Sequence, residues 1–102
     1  MVESVPSSTV RVTVRYFAAA RAAAGVAEET VPVSAVPAAA GKPFAVTTVG
    51  AVITELTARH GDGLARVLAR CSYLLDETAV HGPQTPVQAH QVLDVLPPFA
   101  GG

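Results

Sequence analysis

The chain has 102 residues, a formal net charge of −1 and 15% charged residues, which is the length of one domain. It has no basic stripe of the kind that binds nucleic acid or an anionic membrane. A single cysteine, Cys71, excludes an internal disulfide and favours a reducing compartment. Residues 1–8 lack the cationic start and apolar run of a signal peptide, and no apolar segment is long enough to cross a bilayer. We therefore expect a cytoplasmic domain behind a flexible leader, residues 1–8.

The N-terminal part predicts a strand, a helix and a second strand. Thr9–Phe17 alternates apolar and polar residues, as a half-buried strand does. Ala18–Ala24 consists of strong helix formers, and Gly25 is a natural helix end. Glu28–Val33 is a weaker strand, in which Pro32 favours an edge position because proline cannot donate a ladder hydrogen bond.

The middle of the chain predicts a loop followed by the main helix. Ser34–Val46 contains two prolines and a glycine without a clear period, so we expect a long surface loop. Thr47 or Thr48 can cap the helix Val49–His60, whose apolar residues recur at one-face spacing. Gly61 ends this helix.

A second, shorter helix and a hairpin follow. Asp62 is expected to cap the helix. Ser72–Leu75 predicts a strand, Asp76-Glu77 a tight turn and Thr78–His81 the returning strand. The apolar face of the short helix contains Leu64, Val67, Leu68 and Cys71.

The C-terminal part predicts the last strand. Val87–His90 has the composition of a short turn, and Gln91–Leu96 of a strand in which Leu93 and Val95 face the core while Asp94 and Leu96 face outward. Pro97-Pro98 ends the pairing. These elements indicate an α+β domain, residues 9–98, with a small mixed sheet on the main helix and the first and last strands side by side in its centre.

Few groups in the chain are candidates for chemistry. The three histidines are scattered, at spacings that match no compact metal motif, and a thiol at the end of an apolar helical face is expected to be inert. Gly61-Asp62-Gly63 lacks the Lys-Ser/Thr ending of a phosphate loop. The remaining candidate is the carboxylate of Gly102, which follows a second side-chain-free residue, Gly101. A carboxylate becomes reactive once it is adenylated, so another protein must supply ATP, Mg²⁺ and catalysis.

Two apolar residues flank the proline pair. Phe99 is too close to the terminus for deep burial and is expected to contact a partner. Leu96 suits partner binding and local packing equally well. Residues 99–102 are expected to form a flexible tail.

The sequence resembles the small, sulfur-carrying subunit of molybdopterin synthase, in the ubiquitin-like β-grasp group. The resemblance lies in Val12–Arg21, Gly25, Glu29–Val31, the helix Thr48–His60 with the residues that follow it, and above all in Leu93–Gly102, with its two prolines and closing Gly-Gly. It implies a β-grasp fold with short additional helices.

Membership would imply a sulfur-transfer cycle in molybdenum cofactor biosynthesis. A ubiquitin-activator-like enzyme would adenylate Gly102, and a sulfur donor protein would convert it to a thiocarboxylate. The loaded tail, including Phe99, Ala100 and Gly101, would enter the large synthase subunit and give sulfur to precursor Z, a cyclic pyranopterin monophosphate. The small subunit would bind no cofactor and would form a heterotetramer of two small and two large subunits.

By motif position, Phe17 and Leu96 match the exposed contacts of this family with the large subunit. Three features depart from its pattern: Ala79 stands where a larger apolar residue is common, the loop Ser34–Val46 is longer, and Asp76-Glu77 replaces an Asn-Gly type of turn.

Other functions remain open on the sequence. The chain could carry sulfur for thiamine (thiazole) or cysteine synthesis, although thiazole carriers tend to be shorter and to lack the double proline. The sequence is also compatible with a ubiquitin-like protein modifier that is joined through Gly102 to lysines. A plain interaction domain with a chance Gly-Gly ending would tolerate truncation of the tail.

Overall fold

The computed structural model describes residues 9–35 and 45–98, so the predicted leader and tail lie outside the described residues. Within these ranges there are seven strands and three helices. No described helix is long and apolar enough to span a membrane. The elements in chain order are β1 (Thr9–Tyr16), α1 (Ala18–Ala24), β2 (Glu28–Ser34), β3 (Val46–Thr48), α2 (Val49–His60), α3 (Asp62–Leu68), β4 (Ser72–Leu75), β5 (Thr78–Ala79), β6 (Pro86–Gln88) and β7 (Val92–Leu96).

The main sheet has five strands in the order β2-β1-β7-β4-β5. The first and last strands, β1 and β7, are neighbours and run parallel, with Val14 opposite Leu93. Strand β7 therefore lies at the centre, as predicted, and β2 with Pro32 lies at an edge. This mixed sheet with its helices is the expected α+β, ubiquitin-like β-grasp fold.

The core lies between one face of this sheet and the helices. Alternate residues of β1 point inward, because side chains alternate between the two faces of a strand. Each fully buried Val or Leu contributes about 1.5–3 kcal/mol relative to exposure. The side chains with no more than 1% exposure include Val10, Val12, Val14, Val52, Leu56, Leu64, Leu93 and Val95.

The ends of α1 and α2 follow the sequence signals. Gly25 ends α1 in the left-handed conformation at φ +81°, and its N–H donates to the Arg21 carbonyl. The Thr48 Oγ1 caps α2 by accepting from Ala51 N–H at 3.1 Å. The prediction that Asp62 caps α3 is wrong, because Gly61 holds the cap position and Asp62 is already helical.

A second, two-stranded sheet was missed from the sequence. β3 and β6 pair antiparallel, with Thr47 opposite Val87, so the predicted turn Val87–His90 begins as a strand and turns only after Gln88. The Thr47 hydroxyl also donates to the Ser34 carbonyl at 2.9 Å. Three-residue strands show too few alternations for sequence periodicity to reveal them.

Other boundaries of strands and loops also differ from those predicted from the sequence. β2 runs on to Ser34 and β3 begins at Val46, which shortens the predicted loop, and residues 36–44 lie outside the described residues. The returning strand of the hairpin covers only Thr78–Ala79. At its turn, Asp76 and Glu77 both have positive φ, 47° and 69°, which is the backbone of the two-residue turn that Asn-Gly usually forms.

Candidate functional site

The last strand, β7, precedes the predicted tail and lies in the centre of the sheet. β7 is paired on both sides, with β1 and β4, and Leu93 and Val95 are fully buried. Beyond it, Pro97 is half-buried and Pro98 is exposed. The predicted site residues Phe99, Ala100, Gly101 and Gly102 lie outside the described residues. The described structure therefore ends at Pro98, two residues after the firmly paired strand β7.

Two predicted contact residues share the sheet face that points away from the helices. The β1–β7 register pairs Tyr16 with Val95, and both are buried on the inner face. Phe17 and Leu96 are the next residues along the two segments, and Phe17, the residue before α1, still has an extended backbone (φ −127°, ψ 149°), so alternation places both on the outer face. Phe17 is 41% exposed, although its hydrophobic character favours burial, and Leu96 is half-buried.

An ion pair lies two residues back along the same strands. The Arg15 Nε donates to Asp94 Oδ1 at 2.6 Å, and Nη2 donates to Oδ2 at 2.9 Å. The bond to Asp94 and its charge raise the pKa of Arg15. A bidentate pair of this kind fixes orientation as well as distance. It ties β1 to β7 beneath the end of the sheet where Phe17 and Leu96 lie.

Sequence reasoning missed this pair, although it placed Asp94 on the outward face. The carboxylate does face outward, but only 8% of its side chain is exposed, because Arg15 covers it. The sequence did contain a signal for this pair, because two strands expected to be neighbours carry opposite charges at outward positions. The register that aligns them could not be read from either strand alone.

The outer face continues onto β4 and β5. Leu74 pairs with Asp94 on one side and with Ala79 on the other, so the three share this face. Leu74 is half-buried and Ala79 is exposed. The small side chain of Ala79 leaves this corner of the face flatter than a larger apolar residue would.

A second polar cluster ties the sheet to the end of α2. Glu29 Oε2 accepts from the Tyr16 hydroxyl at 2.6 Å and lies 2.6 Å from His60 Nε2. Burial acts to raise the pKa of Glu29, but the hydrogen bonds from Tyr16 and His60 outweigh it and lower the pKa. Burial and the bond to Glu29 raise the pKa of Tyr16. The cluster joins β1, β2 and α2, which gives His60 a structural role.

The remaining titratable candidates have no common site. The Cys71 thiol donates to the Val67 carbonyl at 3.1 Å, and burial raises its pKa, which agrees with an inert thiol. His81 and His90 are exposed outside the strands. Within residues 9–35 and 45–98, no three His, Cys, Asp or Glu side chains are placed to hold a metal ion.

Comparison with known proteins gives solved structures of the same fold. The HVO 2177 protein of Haloferax volcanii is 25% identical, with a TM-score of 0.72 over 98% of this chain and 93% of the other. Small archaeal modifier protein 1 of Methanosarcina acetivorans is 23% identical, with a TM-score of 0.67 over 94% and 100%. A chain in the complex of subunits 1 and 2 of the molybdopterin-converting factor of Helicobacter pylori is 22% identical, with a TM-score of 0.56 over 91% and 100%.

No curated protein sequence matches the chain significantly. A family model does match, over residues 14–102, and this range includes all of β7 and the positions of the tail. Since the match covers well over half of the chain, the protein belongs to the ThiS family.

Proposed function

We propose that this protein is the sulfur carrier subunit of a molybdopterin synthase. The observation that carries the proposal is the placement of Leu96. This residue ends the central strand β7, shares the outer face with the exposed Phe17, and lies three residues before Phe99. A partner that covers this face would hold the base of the tail while the tail extends into its active site.

Each step assigned to the carrier takes place at one atom group, the carboxylate of Gly102. Attack of this carboxylate on ATP forms an acyl-adenylate and releases pyrophosphate. A sulfur nucleophile at the oxidation level of hydrosulfide then displaces AMP and leaves a thiocarboxylate. In the large subunit the sulfur passes to precursor Z, water takes its place on the acyl carbon, and the carboxylate is restored. Two such transfers form the dithiolene of molybdopterin.

The carrier contributes binding and delivery, and its partners contribute catalysis. ATP and Mg²⁺ belong to the ubiquitin-activator-like enzyme, and the sulfur comes from a donor protein. The stable partner is the large synthase subunit, in a complex of two small and two large subunits. The solved complex of two molybdopterin-converting factor subunits supports a partner of this kind, since one of its chains has this fold.

Reconstitution tests this function directly. The carrier, activating enzyme, sulfur donor, ATP and large subunit are incubated with precursor Z, and the dithiolene product is measured. We expect product from the full chain and none after deletion of Gly102, while the thermal melting of the two forms agrees, because glycine has no side chain whose packing could be lost. Equal product from both forms would overturn the proposal.

A second candidate is a protein modifier joined to lysines through Gly102, and the likeness in fold to a small archaeal modifier protein is the observation that favours it. An isopeptide between Gly102 and a target lysine, seen by mass spectrometry of cell lysate, would support this role. A sulfur carrier for thiamine synthesis differs in its partner, which would then be a thiazole-forming enzyme in place of the large synthase subunit.

A further inference from the structure

A groove lies beside the end of β7, between α1 and the end of α3. Its volume is about 650 Å³, which is within the range of about 300–1,000 Å³ that is usual for pockets that hold small ligands. Apolar atoms of its lining come from Ala19, Val67, Ala69, Pro97 and Pro98. Pro98 is also the last described residue, so residues 99–102 follow directly from the wall of the groove.

Two arginines make the groove cationic as well as apolar. Arg66, in the last turn of α3, and Arg70, just after it, also line the groove, and both are exposed. Within residues 9–35 and 45–98 neither arginine forms an ion pair, and none of the described lining residues is Asp or Glu. A guanidinium group forms strong, well-directed hydrogen bonds with a carboxylate. The groove therefore combines an apolar wall with two groups that bind a carboxylate.

The segment that follows Pro98 has the matching chemistry. Phe99 has one large apolar side chain, an alanine and a glycine come next, and the carboxylate of Gly102 is at the end. Four extended residues span at most about 14 Å, so this carboxylate can reach only groups close to Pro98. Both groove arginines line the same groove as Pro98, so they lie on the surface that this short segment can cover.

We propose that in the free protein residues 99–102 dock in this groove, with the Phe99 ring against the apolar wall and the Gly102 carboxylate on Arg66 and Arg70. A short tether gives a segment an effective concentration of about 1 mM or more at a neighbouring site, so contacts that would be too weak for a separate peptide suffice here. The groove thus holds the segment that the sequence alone predicts to be flexible.

The docking concerns the free chain, and its consequence for sulfur transfer rests on the proposed function. A carboxylate held on the arginines is not available for adenylation, and a docked Phe99 is not available to the large subunit. Each partner must therefore draw the tail out of the groove. The apparent affinity of each partner is reduced in proportion to the fraction of molecules in which the tail is free.

NMR spectroscopy of the isotope-labelled full chain tests the docking without any partner. Backbone order parameters of Gly101 and Gly102 are measured at about 50 mM NaCl, where charges interact over more than about 10 Å. Arg66→Gln and Arg70→Gln each remove one charge from the groove. Both arginines are exposed, and the amide signals of the sheet show whether each variant is folded.

Arg11→Gln is the matched control, since it makes the same change in net charge. Arg11 is exposed and forms no ion pair in the part of the chain that the structure describes. It lies two residues before Thr13, which pairs with Val92 at the start of β7. About 25 Å of strand therefore separates Arg11 from Pro98, which is beyond the reach of four residues.

We expect order parameters above about 0.6 for Gly101 and Gly102 in the wild type and in Arg11→Gln, and values in the flexible range below about 0.6 in both groove variants. Nuclear Overhauser contacts between the Phe99 ring and the Val67 methyl groups should be present in the wild type and weaker in the groove variants.

Glycine order parameters below about 0.6 in the wild type, equal values in the wild type and both groove variants, or no contact between Phe99 and Val67 would overturn the proposal. Order parameters that rise with protein concentration would indicate the tail of a second copy in the groove and would overturn it as well. None of these results bears on the sulfur carrier role, which reconstitution tests separately.

Discussion

The outer-face interface predicts that truncation of Phe17 weakens binding to the large subunit about 30-fold. Phe17 is 41% exposed. Since a phenylalanine offers about 200 Å² of surface, roughly 80 Å² is available for a partner to cover. At about 25 cal/mol per Å² this area is worth about 2 kcal/mol, which corresponds to a roughly 30-fold increase in Kd for Phe17→Ala.

Titration calorimetry with the large subunit measures this change. Gln84→Ala, at an exposed loop position outside the outer face, is the matched control and should leave Kd unchanged. Thermal melting followed by circular dichroism shows whether both variants are folded at the assay temperature, since the buried part of Phe17 is also lost. A Kd within about threefold of wild type, in folded Phe17→Ala, would refute the assignment of this face.

Three further predictions concern the stability of the folded domain. Leu93→Ala in β7 should lower the free energy of unfolding by about 2–5 kcal/mol in urea titration, because Leu93 is fully buried, and a loss below about 1 kcal/mol would contradict its core position. Glu29→Gln should remove a pH-dependent part of the free energy of unfolding. Folding lowers the pKa of Glu29, so the contribution of this carboxylate to stability is present above its unfolded pKa and is lost as pH falls through its folded pKa. Urea titrations from neutral to acidic pH should therefore show a shallower decline for the variant, and equal slopes would count against the cluster. Glu77→Gly should raise the melting temperature and increase the free energy of unfolding by up to about 1 kcal/mol, because Glu77 has φ 69° and glycine adopts this conformation without strain. A lower melting temperature would show that the turn is not strained.

The elements that the sequence revealed are those with local signals. Strict alternation in Thr9–Tyr16 and one-face spacing in Val49–His60 repeat often enough to specify a strand and a helix. Gly25 and Thr48 mark helix ends through backbone conformation and hydrogen bonding that depend on single residues. The central position of β7 followed from its hydrophobicity.

The features that could not be predicted from the sequence depend on contacts between segments that are far apart along the chain. β3 and β6 are three residues each, and their pairing brings together segments about 40 positions apart, with Thr47 opposite Val87. The Arg15–Asp94 pair depends on a register that neither strand encodes alone. Arg66 and Arg70 line a surface groove with Ala19 and Pro97, and this groove exists only after α1, α3 and the end of β7 pack together.

The most direct test of the sulfur carrier role is the intact mass of the protein after incubation with its activating enzyme, ATP and a sulfur donor. Replacement of one carboxylate oxygen of Gly102 by sulfur, located by fragmentation of the C-terminal peptide and reversed when the large subunit and precursor Z are added, is the predicted result. An unchanged mass with an enzyme that adenylates the chain, or a sulfur atom at Cys71 in place of Gly102, would contradict it.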